Sequence, residues 1–326
     1  MEYTTLGRTE LKVSVAGLGC GGFSRLGLST GGNEASAIAI IHAALDLGVN
    51  ILDTAAPYGT EAVVGKAIKT VPRDKVVIAT KSSVIRGGER WAPERVVASL
   101  DNSLRELGID CIDVFQLHAV PPSGYDYVRD VVAPALLKEK ERGKFRFLGI
   151  TETSPNDLEH QMLLRAIPDG LWDTAMVAFH LMSQNTREAV FPASLQHRVG
   201  TLLMFAVRSI FARRERVAEA MKELAAEGKV PQSLADDPDP LGFLIHPNGA
   251  HSLTDAAYRY VRHEPGVDVV LFGTGDQAHL RSNIESILRP PLPQADRDRL
   301  KQLFSHLRGV GLVAPPHARR AGAVPG

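Results

Sequence analysis

The chain has only two cysteines among its 326 residues, Cys20 and Cys111. That is too few for a disulfide framework or a four-cysteine zinc site. It also has no excess of charge: 37 Lys and Arg stand against 37 Asp and Glu. A nucleic-acid binder normally carries a basic surplus on one face, so that class is disfavoured. No apolar run approaches the roughly 18–20 residues that cross a bilayer; residues 201–207 (TLLMFAV) form one of the longest and are strand-sized. The opening MEYTTLGRTE has no basic or apolar leader region, so a secretory signal is not expected. The eleven histidines lack H-E-x-x-H or Cys/His spacing, and His246, His251 and His263 read as surface or helix positions, so no metal is expected. G-x-S-x-G, the common serine-hydrolase signal, is missing too. With 44% hydrophobic and 23% charged residues, the chain reads as a globular cytoplasmic protein with a small-molecule partner, no nucleic acid and no membrane. Its oligomeric state is not legible.

What is present is a rhythm. Apolar segments of strand character lie at 12–18, 49–54, 75–80, 111–117, 145–151, 174–179, 201–207 and 267–272. Several are continuous β-branched and apolar runs, as strands covered on both faces require. Helical patterns fall between them at 34–47, 93–107, 125–142, 155–167, 185–198, 253–263 and 277–288. Pro93 suits a first helical position, Ser154 suits an N-cap, and Gly48, Gly108 and Gly143 suit helix ends. Eight strands alternating with helices predict a single (β/α)8 barrel over 1–326, with a doubly wound sheet as the alternative. Residues 208–247 form a long insertion with a charged helix at 212–227 and a linker at 236–242; the Gly-, Pro- and Arg-rich 309–326 reads as a disordered or mouth-covering tail.

In a barrel, residues at the C-terminal strand ends share one mouth. Those positions carry Asp53, Lys81 and His118, and Tyr58 follows Asp53 in the loop DTAAPYG. Singly, each has an ordinary reading: a helix cap, a solvated lysine, a structural histidine, a packed tyrosine. Together, at successive strand ends, they suit carbonyl reduction. Hydride arriving at a carbonyl carbon leaves charge on oxygen, so a proton donor must sit beside it. Tyrosine is a weak acid, with a reference pKa of about 10. A neighbouring ammonium is expected to lower it, a carboxylate to hold the ammonium, and a neutral histidine to bond the same oxygen.

Carried by these residues, the sequence resembles the aldo-keto reductases. The matching stretches are GRTELKVSVAGLGCGG, LGVNILDTAAPYGTEAVVGKAI, VVIATK, DVFQLH, KFRFLGIT and FGTGDQAHLRSNIES, spanning roughly residues 1–290. The resemblance implies a (β/α)8 barrel binding NAD(P)(H) without a Rossmann domain, with Asp53, Tyr58, Lys81 and His118 as the catalytic set and Tyr58 as general acid/base. Gly17, Gly19 and Gly22 also satisfy G-x-G-x-x-G, but the loop 23–33 that follows is not the helix such a fingerprint must open.

Around the cofactor the chain departs from the family's pattern. Thr151 and Glu152 replace a Ser-Asn pair that holds the nicotinamide carboxamide, and Met176 replaces a glutamine. Met204 stands where a side chain covers the nicotinamide face, and Phe205, Ala206 and Val207 replace Ser-Pro-Leu. Gly19, Cys20 and Gly21 are expected to let backbone approach the nicotinamide, and Arg208 to meet pyrophosphate. Gly273, Thr274, Gly275, His279 and Asn283 fall on the adenosine-phosphate segment. Cations that would grip a 2′-phosphate are replaced by Gly273 and His279, with Asp276 between them and Arg281 directed outward. That pattern leans towards NAD(H). The leading expectation is an oxidoreductase interconverting an aldehyde, ketone or sugar with an alcohol. The alternative is a cofactor-binding barrel acting as a redox-sensing subunit with little turnover.

Overall fold

The computed structural model describes residues 1–208 and 210–312. Most of the expected tail, including Arg319, lies outside the described residues. Eight parallel strands close into a barrel: β1 (Ala16–Gly19), β2 (Ile51–Asp53), β3 (Val77–Ser83), β4 (Ile112–Val120), β5 (Phe145–Glu152), β6 (Thr174–Ala178), β7 (Gly200–Met204) and β8 (Val269–Phe272). Each pairs with its neighbours in sequence, and β8 returns to β1. The barrel is therefore closed, and the doubly wound alternative is excluded.

The first expected strand is in fact two. Lys12–Ser14 pairs antiparallel with Tyr3–Thr5, and only Ala16–Gly19 enters the barrel. The hairpin plugs the barrel floor, where Leu6, Leu11 and Val13 pack beneath Ile51, Val77, Val114 and Leu202. Arg8 fastens it by bonding Asp173 and the carbonyls of Gly170 and Trp172.

Alternation along the strands then explains the mouth. Side chains two apart face the same side, so above the inward layer of Ile51, Ala79 and Val114 come Asp53, Lys81 and Gln116. An apolar floor thus carries a polar top, and register places Lys81 opposite Gln116 and Ser83 opposite His118.

The helices largely follow the expected pattern, with instructive exceptions. Asn33 caps Glu34–Asp46 through a reciprocal bond with Ser36. Glu61–Ile68 was not anticipated: it is short and has Gly65 and two β-branched valines in its interior, all weak helix formers. The Gln294–Phe304 helix was also missed. Between Tyr125 and Glu141 the helix widens into a π turn at Val128–Val132, just before Pro134, which has no N–H to continue the ladder. The expected helix 155–167 begins only at Gln161. Asp157, not Ser154, satisfies its first N–H groups, accepting from Gln161 and Met162. No helix among the described residues is long and apolar enough to cross a membrane.

Candidate active site

Asp53, Tyr58, Lys81 and His118 meet at the C-terminal mouth. Lys81 is fully buried, and its Nζ donates to Asp53 Oδ2 at 2.7 Å, to Oδ1 at 2.8 Å and to the Thr54 carbonyl at 2.8 Å. Three acceptors match the three N–H bonds of an ammonium, so the buried charge is both neutralised and fully bonded. The same Nζ lies 5.1 Å from the centre of the Tyr58 ring, and Tyr58 Oη stands 3.5 Å from His118 Nε2. The Tyr58 and His118 rings meet edge to face, 5.6 Å between centroids.

Tyr58 comes from the short 3-10 turn Ala56–Tyr58, which Pro57 stiffens and which follows β2 directly. Its ring occupies space that glycine leaves: a Cβ on Gly21 would lie 2.4 Å from ring carbons Cδ2 and Cε2. Gly21, expected to let backbone approach the nicotinamide, makes room for the Tyr58 ring. Gln116 also belongs to the site, donating to Asp53 Oδ1 at 3.3 Å while its own Oε1 has no partner among the described residues. The sequence reading missed it, although its place two residues before His118 on β4 was the available signal.

The electrostatics refine the expected tyrosine activation. Burial is the largest influence on Tyr58 and raises its pKa above the usual phenol value; the Lys81 charge opposes this without overcoming it. Burial also raises Asp53 above the usual carboxylate range despite the attraction of Lys81. Burial draws Lys81 downwards, but Asp53 and Tyr58 outweigh it and leave the ammonium above its ordinary value. Burial and the Lys81 charge push His118 down to about 3, so its imidazole is neutral at physiological pH. The resting site is therefore a protonated phenol between a paired ammonium and a neutral imidazole. Expected activation by Lys81 is real in sign, but in the resting protein it is a correction to a larger burial effect.

An aldo/keto reductase family model matches residues 17–304. The chain belongs to the aldo/keto reductase family. It is 28% identical to the aldo-keto reductase YhdN of Bacillus subtilis, over 97% of this chain and 98% of that protein. It is 37% identical over 186 residues to an L-galactose dehydrogenase of Arabidopsis thaliana, a match spanning 55% of this chain and 57% of that relative. Among solved structures, the holo form of an aldo-keto reductase from Bacillus halodurans superimposes with a TM-score of 0.71 at 24% identity, covering 98% of this chain and 99% of that one. An aldo-keto reductase from Klebsiella pneumoniae in complex with NADPH gives a TM-score of 0.66 at 23% identity, covering 93% and 96%.

The remaining residues that the aldo/keto reductase pattern singled out are dispersed over several strands and loops. Gly19 ends β1 and Cys20 is buried, its thiol pushed up by burial. Thr151 is buried and its hydroxyl accepts from Ala119 N at 2.7 Å. The Glu152 side chain has 0% exposure. Its Oε1 accepts from Ala178 N at 2.8 Å and Ser154 Oγ at 3.2 Å, and its Oε2 faces His160 Nδ1 at 2.7 Å. Enclosed in this way, the Glu152 carboxylate has protein partners on both oxygens. Met176 lies in the barrel-interior cluster, and the partly buried Met204 packs against it. Phe205, just past β7, has a left-handed backbone with φ 72°, and the Arg208 guanidinium stacks 3.8 Å from its ring centre. Val207 is half-buried between them in sequence.

Arg208 donates to the carbonyls of Gly311 and Leu312, so the first residues of the expected tail pack against this segment. Burial lowers its pKa to about 10. At the eighth strand, Thr274 Oγ1 accepts from Asp276 N at 3.0 Å, and Asp276 caps Gln277–Leu288 by accepting from His279 N at 2.8 Å. Gly273 and His279 are exposed, Asn283 is half-buried, and Arg281 is exposed on the outer helix. Gly275 packs so closely on Gly27 that a Cβ would lie 2.3 Å from the Gly27 Cα, so it joins two loops whatever else it does.

Proposed function

We propose that the chain is an NAD(P)(H)-dependent oxidoreductase that interconverts an aldehyde, ketone or sugar with the corresponding alcohol, the whole chain working as one (β/α)8 domain. The observation that carries this is the convergence of Tyr58, His118 and the buried Asp53–Lys81 pair on one mouth. A barrel that only bound a cofactor would gain nothing from a buried ammonium with its counter-charge beside a phenol, and burying charges is costly.

The mouth also suits the cofactor. Among the described residues Arg208 meets carbonyl oxygens and a ring but no carboxylate, so a partly buried cation stands ready for pyrophosphate. The Klebsiella relative is recorded with NADPH. Bound NAD(P)(H) would supply or accept the hydride. The chain's own residues manage the proton. In reduction, Tyr58 Oη–H donates to the substrate oxygen, and its burial keeps it protonated through neutral pH, the form donation needs. The phenolate left behind faces the Lys81 ammonium, which Asp53 and the Thr54 carbonyl fix in place. Neutral His118 offers a second bond to the same oxygen and orients it. Oxidation uses the same groups in reverse, with Tyr58 as base.

The exposed Gly273 and His279 and the carboxylate of Asp276 support a preference for NAD(H). The name of the Arabidopsis relative makes sugars the first substrates to try. Replacing Tyr58→Phe tests the reading. Folding and cofactor affinity should persist while turnover falls by about 10²-fold or more; equal kcat in both proteins removes Tyr58 as the proton donor.

A further inference from the structure

Beside the mouth lies a second buried titratable cluster that the chemistry above does not use. Glu152 ends β5, and His160 lies in the loop before the helix Gln161–Ala166 with a left-handed backbone, φ 54°. Both are at most 4% exposed. His160 Nδ1 is 2.7 Å from Glu152 Oε2, and His160 Nε2 is 3.1 Å from Thr186 Oγ1. The proton positions follow from the acceptors. The Ala178 carbonyl can only accept, so Thr186 Oγ–H donates to it at 2.7 Å and its lone pair receives His160 Nε2–H. Ala178 N–H likewise donates to Glu152 Oε1. One further proton therefore occupies the Nδ1–Oε2 bond, and the pair forms a protonated imidazole against a carboxylate.

The cluster is linked to the catalytic residues by short steps. Glu152 follows Thr151, whose hydroxyl holds Ala119 N at 2.7 Å. Ala119 has a left-handed backbone, φ 53°, immediately after His118, a conformation that a non-glycine residue keeps only where its surroundings impose it. His118 Nε2 in turn faces Tyr58 Oη. Through Ala178 N, the same carboxylate ties the tip of β6 to that of β5.

We propose that Glu152 and His160 form a buried positioning pair that holds Thr151, and through it the peptide after His118, in the geometry that proton transfer at Tyr58 requires, and that the pair lets go when it loses its shared proton. This rests on the functional reading above. Groups facing His160 are few. Glu152 comes from β5, and Asn185 and Thr186 from the segment after β6. Asp157 comes from the same loop, its carboxylate occupied by Gln161 and Met162. Burial alone would strip the imidazole of its proton, but the bond and charge of Glu152, with smaller help from Asn185 and Asp157, hold it above the ordinary histidine value. The sign follows. The pair is intact below the histidine's ordinary pKa, and its contribution is lost as pH rises through the elevated one. Once the proton is gone, a buried carboxylate oxygen faces a nitrogen lone pair, and Glu152 is held only through Oε1, by Ala178 N and Ser154 Oγ.

The test is imidazole NMR of the full-length protein across pH 5–10, with kcat and KM for 4-nitrobenzaldehyde reduction over the same range. In the wild type, His160 should titrate above the ordinary value, and the His118 signals should move with the same midpoint. In Glu152→Gln, only the smaller contributions of Asn185 and Asp157 oppose burial, and the His160 midpoint should fall below the ordinary value. Thr151→Val should leave the His160 titration in place but uncouple His118 from it. His160→Gln should lower kcat on the order of tenfold, with much less change in KM, and remove one alkaline limb of the kcat profile. A His160 midpoint near the free value, or one indifferent to Glu152→Gln, overturns the pair. His118 signals insensitive to the His160 titration overturn the positioning role, even if a variant fails to fold. Absence of any turnover would count against the functional reading alone, because the NMR coupling does not depend on it.

Discussion

A single methyl group at position 21 is the sharpest test of how the mouth is built. Gly21 has no left-handed backbone requirement, so alanine is conformationally acceptable there and only space is at issue. The added Cβ would sit 2.4 Å from two carbons of the Tyr58 ring and 2.8 Å from Cζ. Carbon atoms rest at roughly 3.5–4.0 Å, so the ring must retreat by about 1 Å or more. It cannot do so freely, since Lys81 Nζ lies 5.1 Å from the ring centre and the His118 ring 5.6 Å away. The 3.5 Å separation between Tyr58 Oη and His118 Nε2 is already at the limit of a hydrogen bond, and a shift of that size breaks it. Overpacking of this kind costs about 1–3 kcal/mol of stability, and a displacement of about 1 Å at a reacting group costs on the order of 10² in rate. Gly21→Ala should therefore fold with a modestly lower Tm, bind cofactor nearly as well, and lose about 10²-fold in kcat. Combined with Tyr58→Phe it should add little, because both changes remove the same proton donor. Steady-state kinetics, thermal melts and fluorescence titration with NADH and NADPH measure all three quantities. Wild-type kcat in Gly21→Ala would falsify the argument that this glycine exists for the tyrosine.

Asp53→Asn should strand the Lys81 ammonium in a site with 0% exposure, costing about 3–5 kcal/mol and moving the pH–rate profile; an unchanged Tm and profile would show that the pair is not coupled to the acid. NADH should bind at least as tightly as NADPH, and Gly273→Lys with His279→Arg should shift the balance towards NADPH. A wild-type preference for NADPH above about tenfold, or roughly 1.4 kcal/mol, refutes this. His180 is fully buried, and burial followed by the Arg208 charge lowers its pKa to about 3 against a smaller opposing contribution from the Val310 backbone. Its unfolded form takes up a proton first, so stability should fall as pH drops from about 6.5 towards 3. His180→Phe should flatten that acid limb in Tm measurements, and an unaltered slope would exclude His180 as its source.

The strand rhythm and the four residues Asp53, Tyr58, Lys81 and His118 were legible in the sequence because both are local signals. Apolar runs mark doubly covered strands, and a strand's last residues face the mouth once the barrel is granted. Closure was not local. Whether β8 returned to β1 or stood at a sheet edge depended on pairing between residues some 250 positions apart, through Val270 with Ala16 and Phe272 with Leu18. The floor hairpin was hidden because its second strand runs almost directly into β1 as one apolar stretch. Gln116 and the role of Gly21 depended on what lies opposite them, which no pattern along the chain records. Glu152 shows the difference most clearly. Its position at the tip of β5 pointed towards a ligand, yet the loop that brings His160 back beneath it closes the carboxylate inside the protein. Residue type and strand position set what a side chain is able to do; the neighbours that the fold supplies decide whether it meets a substrate, a cofactor or another side chain.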